Sequence, residues 1–261
     1  MTDKILTEQH GDIARIIFNQ PEKRNAVSLE MWEAVEAALI RFEADPSVRI
    51  LILSGAGGKA FVSGADISKF ESERASEEAV AHYNATTKRV YDMMEAFPKP
   101  TIAQIDGFCI GGGVALALCC DLRICGEGSN FAVPAAKLGL GYGFPGIKRL
   151  VDVVGPSFAK EIFFTARRFT AEEARVMGLV NRVVPDADVA QAAEDTARMI
   201  AENAPMTVGS VKYIVSQTVA PESARDLAEC DARVKACFDS QDYIEGRRAF
   251  LEKRKPNFVG A

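Results

Sequence analysis

Histidine is scarce in this chain, paired cysteines are missing and apolar runs are short. Of 261 residues only two are histidine, and none of the six cysteines stands in a C-x-x-C pair. We therefore expect no metal site, no redox dithiol and no His-based catalytic triad. The longest apolar run without a charge, residues 107–120, has 14 residues, whereas a bilayer helix needs about 20. The first residues also lack the apolar segment of a secretory signal, so we expect neither a membrane span nor export.

Basic residues are not in excess. The 31 lysines and arginines are outnumbered by 36 acidic residues, which gives a net charge of −5. Because nucleic-acid binding needs a basic face, we expect no nucleic-acid partner, although a local basic patch could hold one small anion. With 48% hydrophobic and 26% charged residues, the composition is typical of a globular protein of one or two domains. Four cysteines lie in or beside a small-residue apolar stretch, which favours free buried thiols and a reducing, cytoplasmic compartment.

Short strands and amphipathic helices alternate along the first 200 residues. Runs rich in Ile and Val predict strands over 13–18, 49–54, 101–105, 121–125 and 179–184. Helices are predicted to follow Ser28, to cover 76–97, and to run from a capping box at Thr170 to Gly178. After Pro185 the pattern predicts only helices, over 187–203, 206–218, 221–237 and 240–252. This order indicates an α/β fold with a helical C-terminal part.

Two glycine-centred segments, residues 61–67 and 107–114, each follow a predicted strand. The second contains three consecutive glycines and opens a helix, so a ligand could approach its backbone closely. Unpaired amides at the positive end of a helix suit an anion or a developing oxyanion. The alternative is that these glycines only permit tight helix packing.

A different glycine pattern, G-x-G-x-x-G over residues 141–146, resembles a dinucleotide fingerprint. No clear strand leads directly into it, and Pro145 interrupts the turn. We therefore do not expect nicotinamide binding there.

Several motifs closely resemble those of the crotonase (enoyl-CoA hydratase/isomerase) superfamily. They are found at residues 19–28, 61–67, 107–117, 131–150, 164–167, 178–181 and 250–258. The resemblance implies a spiral of ββα units over residues 1–200 and a helical region over 201–261 that mediates trimer formation, often as a dimer of trimers. It also implies an acyl-CoA substrate, whose coenzyme A portion is the only cofactor-like group expected.

The resemblance also assigns residues. The backbone N–H groups of Ala65 and Gly112 would form an oxyanion hole for the thioester carbonyl, in agreement with the physical interpretation of the glycine-rich helix start. For Lys253 the alternative is a solvated helix end whose cation is favoured by the helix dipole. The residues expected to hold coenzyme A are Lys23, Arg24, Ala26, Ser63, Ala65, Asp66, Ile67, Ser68, Phe250 and Lys253.

Both glutamates of typical family hydratases are replaced. Ala115 stands two residues after the glycine triplet, and Ala135 follows the proline of the F-x-x-P segment. An alignment slip does not restore them, because residues 111–120 and 131–150 contain no Glu or Asp. Each general acid or base is commonly worth about 100- to 10,000-fold in rate. Hydration by the usual two-glutamate route is therefore not expected.

Tyr142 is the remaining candidate for acid/base chemistry, with pocket lining as the alternative role. The segments 239–246 and 250–258 resemble bacterial methylmalonyl-CoA decarboxylase, and Tyr142 matches a pocket tyrosine of that enzyme. Decarboxylation needs no initial base, so we expect a decarboxylase-like lyase or an isomerase. A non-catalytic acyl-CoA binder and a weak enoyl-CoA hydratase that uses another acid/base remain alternatives. His82 is expected to be a helix-surface or packed histidine, with a position facing the acyl pocket as the alternative. Asp121 is expected to cap backbone amides.

Overall fold

The computed structural model describes residues 2–69 and 75–261. Over these residues the strands are β1 (Ile5–His10), β2 (Ile13–Phe18), β3 (Ile50–Gly55), β4 (Ala60–Val62), β5 (Thr101–Ile105), β6 (Phe108–Ile110), β7 (Leu122–Gly126), β8 (Asn130–Ala132), β9 (Phe169–Thr170) and β10 (Arg182–Val184). The helices are α1 (Leu29–Ala44), α2 (Glu77–Ala96), α3 (Gly112–Cys119), α4 (Phe144–Thr165), α5 (Ala171–Val176), α6 (Val189–Ala201), α7 (Pro205–Val219), α8 (Leu227–Asp239) and α9 (Gln241–Glu252). None of these described helices is both long and apolar enough for a bilayer span.

The strands form two sheets. The larger has the order β1-β2-β3-β5-β7-β10, and its neighbours are parallel except for β1 and β2. The smaller has the order β4-β6-β8-β9, in which only β9 runs antiparallel to its neighbour. Parallel neighbours end at the same edge of a sheet, so the loops after β4, β6 and β8 lie side by side.

A unit of two strands and a helix repeats along the chain, as β3-β4-α2, β5-β6-α3 and β7-β8-α4. In each unit the first strand lies in the larger sheet and the second in the smaller. The turn between β5 and β6 contains Gly107, whose φ is +62° and where a Cβ atom would lie 2.1 Å from the carbonyl oxygen of Lys59. Only glycine fits such a close crossing. This repeat is the ββα spiral predicted from the sequence resemblance.

Alternate side chains of β3 point into two separate apolar layers. Leu51 and Leu53 join the main core, which also contains buried residues of α1, α2 and α3. Ile50 and Ile52 pack in a second cluster with the Val189 face of α6. This alternation follows from the two-residue period of a strand covered on both faces.

The predicted secondary structure is confirmed for most of the larger sheet and for α1, α2 and α6. The predicted strand over 179–184 is shorter, because the chain first bends and pairs with β7 only over Arg182–Val184. The predicted helix over 221–237 is wrong at its start, where a 3-10 turn covers Glu222–Ala224 and α8 begins after Asp226. The Asp226 carboxylate accepts from the N–H of Glu229, 2.9 Å away, and so caps the helix.

Six elements were not predicted from the sequence, namely β1, β4, β6, β8, β9 and α4. Four of these strands are three residues long or shorter, too short to display an alternating pattern. β1 is an edge strand with mostly exposed side chains. In α4 the helical pattern is interrupted at Gly155, whose φ is +74° and which precedes Pro156.

Candidate active site

The two glycine segments meet at one edge of the smaller sheet. β4 pairs with β6 in parallel, so the chain after Val62 runs beside the chain after Ile110. A Cβ atom on Gly112 would lie 3.8 Å from the Cα atom of Gly64. A Cβ atom on Gly113 would lie 2.1 Å from the carbonyl oxygen of Val62. Glycine at position 113 therefore lets α3 lie directly on β4 and places the start of α3 beside Gly64.

Backbone hydrogen bonds around these segments leave two amides without a protein acceptor. The N–H of Val27 donates to the carbonyl oxygen of Gly64 at 2.8 Å, and that of Asp66 donates to the carbonyl oxygen of Val27 at 2.9 Å. Ala65 lies between these two bonds, and Gly112 is the first residue of α3. Within 2–69 and 75–261, neither the Ala65 N–H nor the Gly112 N–H donates to another residue. Both residues are half-buried, so a ligand atom can reach them.

A charged cluster ties the segment after β2 to the segment after β4. The ammonium group of Lys23 lies 2.8 Å from both the Asp66 carboxylate and the Ser68 hydroxyl. The Ser68 hydroxyl also donates to Asp66 at 2.6 Å, and the Ser63 hydroxyl donates to the carbonyl oxygen of Lys23 at 3.2 Å. Four of the residues predicted to hold coenzyme A, namely Lys23, Ser63, Asp66 and Ser68, are thus brought together.

The buried Asp66 carboxylate is held in its charged form. Burial alone would raise the pKa of Asp66, but the hydrogen bonds from Lys23 and Ser68 outweigh it and lower the pKa to about 2. The ammonium group of Lys23 is therefore bound by Asp66 and Ser68. These contacts fix the loop that carries Ala65.

Three other predicted coenzyme A residues lie on the same loops in different settings. Ala26 is buried, and its carbonyl oxygen accepts from the Gln20 side chain at 3.1 Å. Ile67 is exposed. Arg24 has a positive φ of 54°, and its guanidinium carbon lies 4.9 Å from the centre of the Phe108 ring. These three residues are close to Lys23 and Asp66 in sequence, and the Arg24 side chain extends toward the smaller sheet.

Phe250 and Lys253 are placed on α9, away from the glycine segments in the chain. Phe250 is exposed and lines an apolar groove between α7, α8 and α9. None of the residues that line this groove belongs to residues 23–68. Lys253 ends α9 with a φ of 53°. Within residues 2–69 and 75–261, neither residue has a hydrogen bond or ion pair to Lys23 or Asp66.

Tyr142 is half-buried where α4 begins, against the main core. Its ring contacts that of Phe163 edge to face, with centres 4.9 Å apart. Burial raises the pKa of the Tyr142 hydroxyl, so the group is a neutral phenol at pH 7.

The sequence interpretation missed a second tyrosine, Tyr91 of α2. Its hydroxyl donates to the carbonyl oxygen of Gly112 at 3.3 Å. Its ring packs edge to face on Trp32, with centres 5.4 Å apart, and the guanidinium carbon of Arg149 lies 5.5 Å from the ring centre. In the sequence Tyr91 is one aromatic residue in an amphipathic helix, and no local signal separates it from core residues.

Arg149 of α4 is a buried cation near this tyrosine. Its side chain is 8% exposed and forms an ion pair with Glu95 of α2. Burial lowers the pKa of Arg149, but the hydrogen bond and charge of Glu95 outweigh that effect and raise it. The guanidinium therefore remains a fixed positive charge beside the Tyr91 ring.

The positions of the replaced glutamates bear only methyl groups. Ala115 is half-buried in α3, and Ala135 is buried in the main core after β8.

His82 is exposed and pairs with Glu33, so its surface position is confirmed. Asp121 accepts from the backbone N–H of Thr101 at 2.7 Å, as predicted.

Comparison with known proteins extends over nearly the whole chain. Residues 8–261 match the family described as enoyl-CoA hydratase/isomerase. A crotonyl-CoA hydratase from Syntrophomonas wolfei is 36% identical over 258 residues, which cover 98% of each chain. A carnitinyl-CoA dehydratase from Salmonella arizonae is 34% identical, with 100% of each chain covered. A solved structure described as an enoyl-CoA hydratase/carnithine racemase from Magnetospirillum magneticum has a TM-score of 0.92 at 36% identity and covers 100% of this chain and 97% of its own.

Proposed function

The chain belongs to the enoyl-CoA hydratase/isomerase family, and we propose that it binds an acyl-CoA thioester whose carbonyl oxygen accepts hydrogen bonds from the N–H groups of Ala65 and Gly112. The single observation that carries this proposal is the adjacency of the two segments, with a Cβ position on Gly112 only 3.8 Å from the Cα atom of Gly64. An enolate places negative charge on that oxygen, and one such donor is typically worth about 3–4 kcal/mol in the transition state.

We propose that the reaction proceeds through this enolate as a decarboxylation or as an isomerisation, the latter requiring a separate base to remove the α-proton. Ala115 and Ala135 offer no group that could activate water, and residues 111–120 and 131–150 contain no carboxylate. Loss of CO₂ from a malonyl-type thioester generates the enolate without a base. The Tyr142 phenol would orient the departing carboxylate or relay the proton that follows.

Two alternatives have specific support. The alanines at 115 and 135 also suit a family member that binds acyl-CoA without turnover. The relatives named hydratase or dehydratase favour a weak enoyl-CoA hydratase with another acid/base.

A substrate panel distinguishes these functions. The purified protein is incubated with methylmalonyl-CoA, ethylmalonyl-CoA, vinylacetyl-CoA and crotonyl-CoA, while CO₂ release, isomerisation and hydration are followed. We expect CO₂ release or isomerisation, and hydration of crotonyl-CoA at least about 100-fold slower than either. Efficient crotonyl-CoA hydration would refute the argument from Ala115 and Ala135. Tight binding with no product would favour the non-catalytic binder. Undiminished CO₂ release by Tyr142→Phe would remove Tyr142 from the mechanism.

We propose further that copies of the chain assemble as trimers or hexamers through the C-terminal helices. Support comes from apolar side chains exposed along α7, α8 and α9, namely Val211, Val215, Phe238, Ile244, Phe250 and Leu251. Burial of such a surface favours association. Light scattering during gel filtration is expected to give a mass three or six times that of one chain, and a monomer would contradict the proposal.

A further inference from the structure

The hydroxyl of Tyr91 lies beside the residue that is proposed to hold the thioester oxygen. It donates to the carbonyl oxygen of Gly112 at 3.3 Å and lies 3.5 Å from where a Cβ atom on Gly112 would be. The N–H of the same residue is one of the two proposed oxyanion donors. Tyr91 thus brings a proton-bearing group to the first turn of α3, where the sequence has no carboxylate.

A bound thioester and the Tyr91 hydroxyl would contact the same residue, the first at its N–H and the second at its carbonyl oxygen. A thioester oxygen held by the Gly112 N–H would lie about 2.9 Å from that nitrogen, and the α-carbon is two covalent bonds from the oxygen. Ala115 lies one turn further along α3, on the same side of the helix as Gly112. Its methyl group leaves open the space that a longer side chain would fill.

The charges around Tyr91 suit proton donation rather than proton removal. Burial raises the pKa of Tyr91 well above its usual value, and the neighbouring Cys119 and Tyr142 raise it further, whereas Arg149 lowers it. The phenol is therefore neutral at pH 7 and cannot act as a base. It can still protonate an enolate, which is a far stronger base than a phenolate. The buried guanidinium of Arg149 would stabilise the tyrosinate while it exists.

We propose, on the basis of the function proposed above, that the Tyr91 hydroxyl, rather than that of Tyr142, delivers the proton to the α-carbon of the enolate, which leaves Tyr142 to orient the departing carboxylate. When the bond to the carboxylate breaks, its electron pair becomes the enolate and CO₂ leaves. The O–H bond of Tyr91 then breaks, a C–H bond forms at the α-carbon and the thioester carbonyl is restored. The tyrosinate regains a proton from water, so the cycle consumes one proton from solvent.

Decarboxylation of methylmalonyl-CoA in D₂O tests this step, because the product carries one deuterium at a new stereocentre. We expect the wild-type protein to give 2-deuteropropionyl-CoA of one configuration. Tyr91→Phe is expected to lower kcat at least about 100-fold and to give both configurations, because solvent then protonates the enolate from either face. Tyr213→Phe, a matched change on α7, is expected to retain the wild-type rate and configuration.

Binding of an unreactive thioether analogue of propionyl-CoA tests whether the Tyr91→Phe variant keeps an intact binding site. Tyr91→Phe is expected to bind it within about threefold of the wild-type Kd, and a much larger loss would reassign Tyr91 to a structural role. A variant that keeps both rate and configuration overturns the assignment of Tyr91 and leaves the proposed function intact. A wild-type protein that releases no CO₂ also overturns it. If that protein isomerises vinylacetyl-CoA, the proposed function still stands. If it does not, the proposed function fails as well.

Discussion

The contact between α3 and β4 gives the sharpest test of how the site is built. Replacing Gly113 by alanine would place a Cβ atom 2.1 Å from the carbonyl oxygen of Val62, 2.9 Å from its carbonyl carbon and 3.1 Å from its Cβ atom. Ordinary contacts begin at about 3.5 Å. The helix or the strand must therefore move by roughly 1 Å to accept one methyl group.

The expected cost follows from that displacement. Overpacking of this kind typically costs about 1–3 kcal/mol or more, and the better helix propensity of alanine returns at most about 1 kcal/mol. We expect Gly113→Ala to lower the free energy of unfolding by about 2 kcal/mol. Because α3 carries the Gly112 N–H, a shift of about 1 Å is also expected to reduce kcat/KM about 100-fold.

Gly112→Ala is the matched stability control. A Cβ atom there would meet the Tyr91 hydroxyl oxygen at 3.5 Å and the Cα atom of Gly64 at 3.8 Å, which are ordinary contacts. Urea unfolding is expected to place this variant within about 1 kcal/mol of the wild type. If Gly113→Ala is equally stable and retains its turnover, α3 does not pack on β4 as described and the site geometry must be revised.

Two further substitutions test the surroundings of the site. Asp66→Asn is expected to lower the free energy of unfolding by about 2 kcal/mol at pH 7, because the pKa of Asp66 is lowered to about 2 by its partners. This stabilisation is present above about pH 4 and is lost as the pH falls through 2, so urea titrations should show the two proteins converging there, and a difference that persists at pH 2 contradicts the argument. Arg123→Met is expected to cost about 3 kcal/mol, because the buried guanidinium donates to the carbonyl oxygens of Ala117, Cys120 and Leu179. The exposed Arg182→Met serves as its control, and equal urea midpoints for these two variants would refute the role of Arg123.

Much of the fold could be predicted because its signals are local. The apolar spacing of α1 and the Ile- and Val-rich runs of β2, β3 and β5 are found within one element each. The smaller sheet could not be predicted in this way. Its strands exist because neighbouring loops of successive units pair with one another, and a three-residue segment does not encode that pairing.

In the candidate site, too, the features with local sequence signals could be predicted and the contacts between remote segments could not. Both glycine segments were located from the sequence, and so were the alanines that replace the hydratase glutamates. The ion pair between Lys23 and Asp66 joins residues 43 apart in the chain, and the hydrogen bond from Tyr91 to Gly112 joins residues 21 apart. The segments that contain Lys23 and Asp66 were identified by their family motifs, but no motif indicated Tyr91.

The amino-acid order alone determined the family, the alternation of strands and helices, and the lack of Glu and Asp in residues 111–120. These properties depend on residue identity and short-range spacing. Tertiary structure decided which amides remain unpaired, which carboxylate is buried with a cation, and which phenol lies against Gly112. Those outcomes depend on the distance between segments that are remote in the chain, and that distance is set only when the two sheets and α3 pack together.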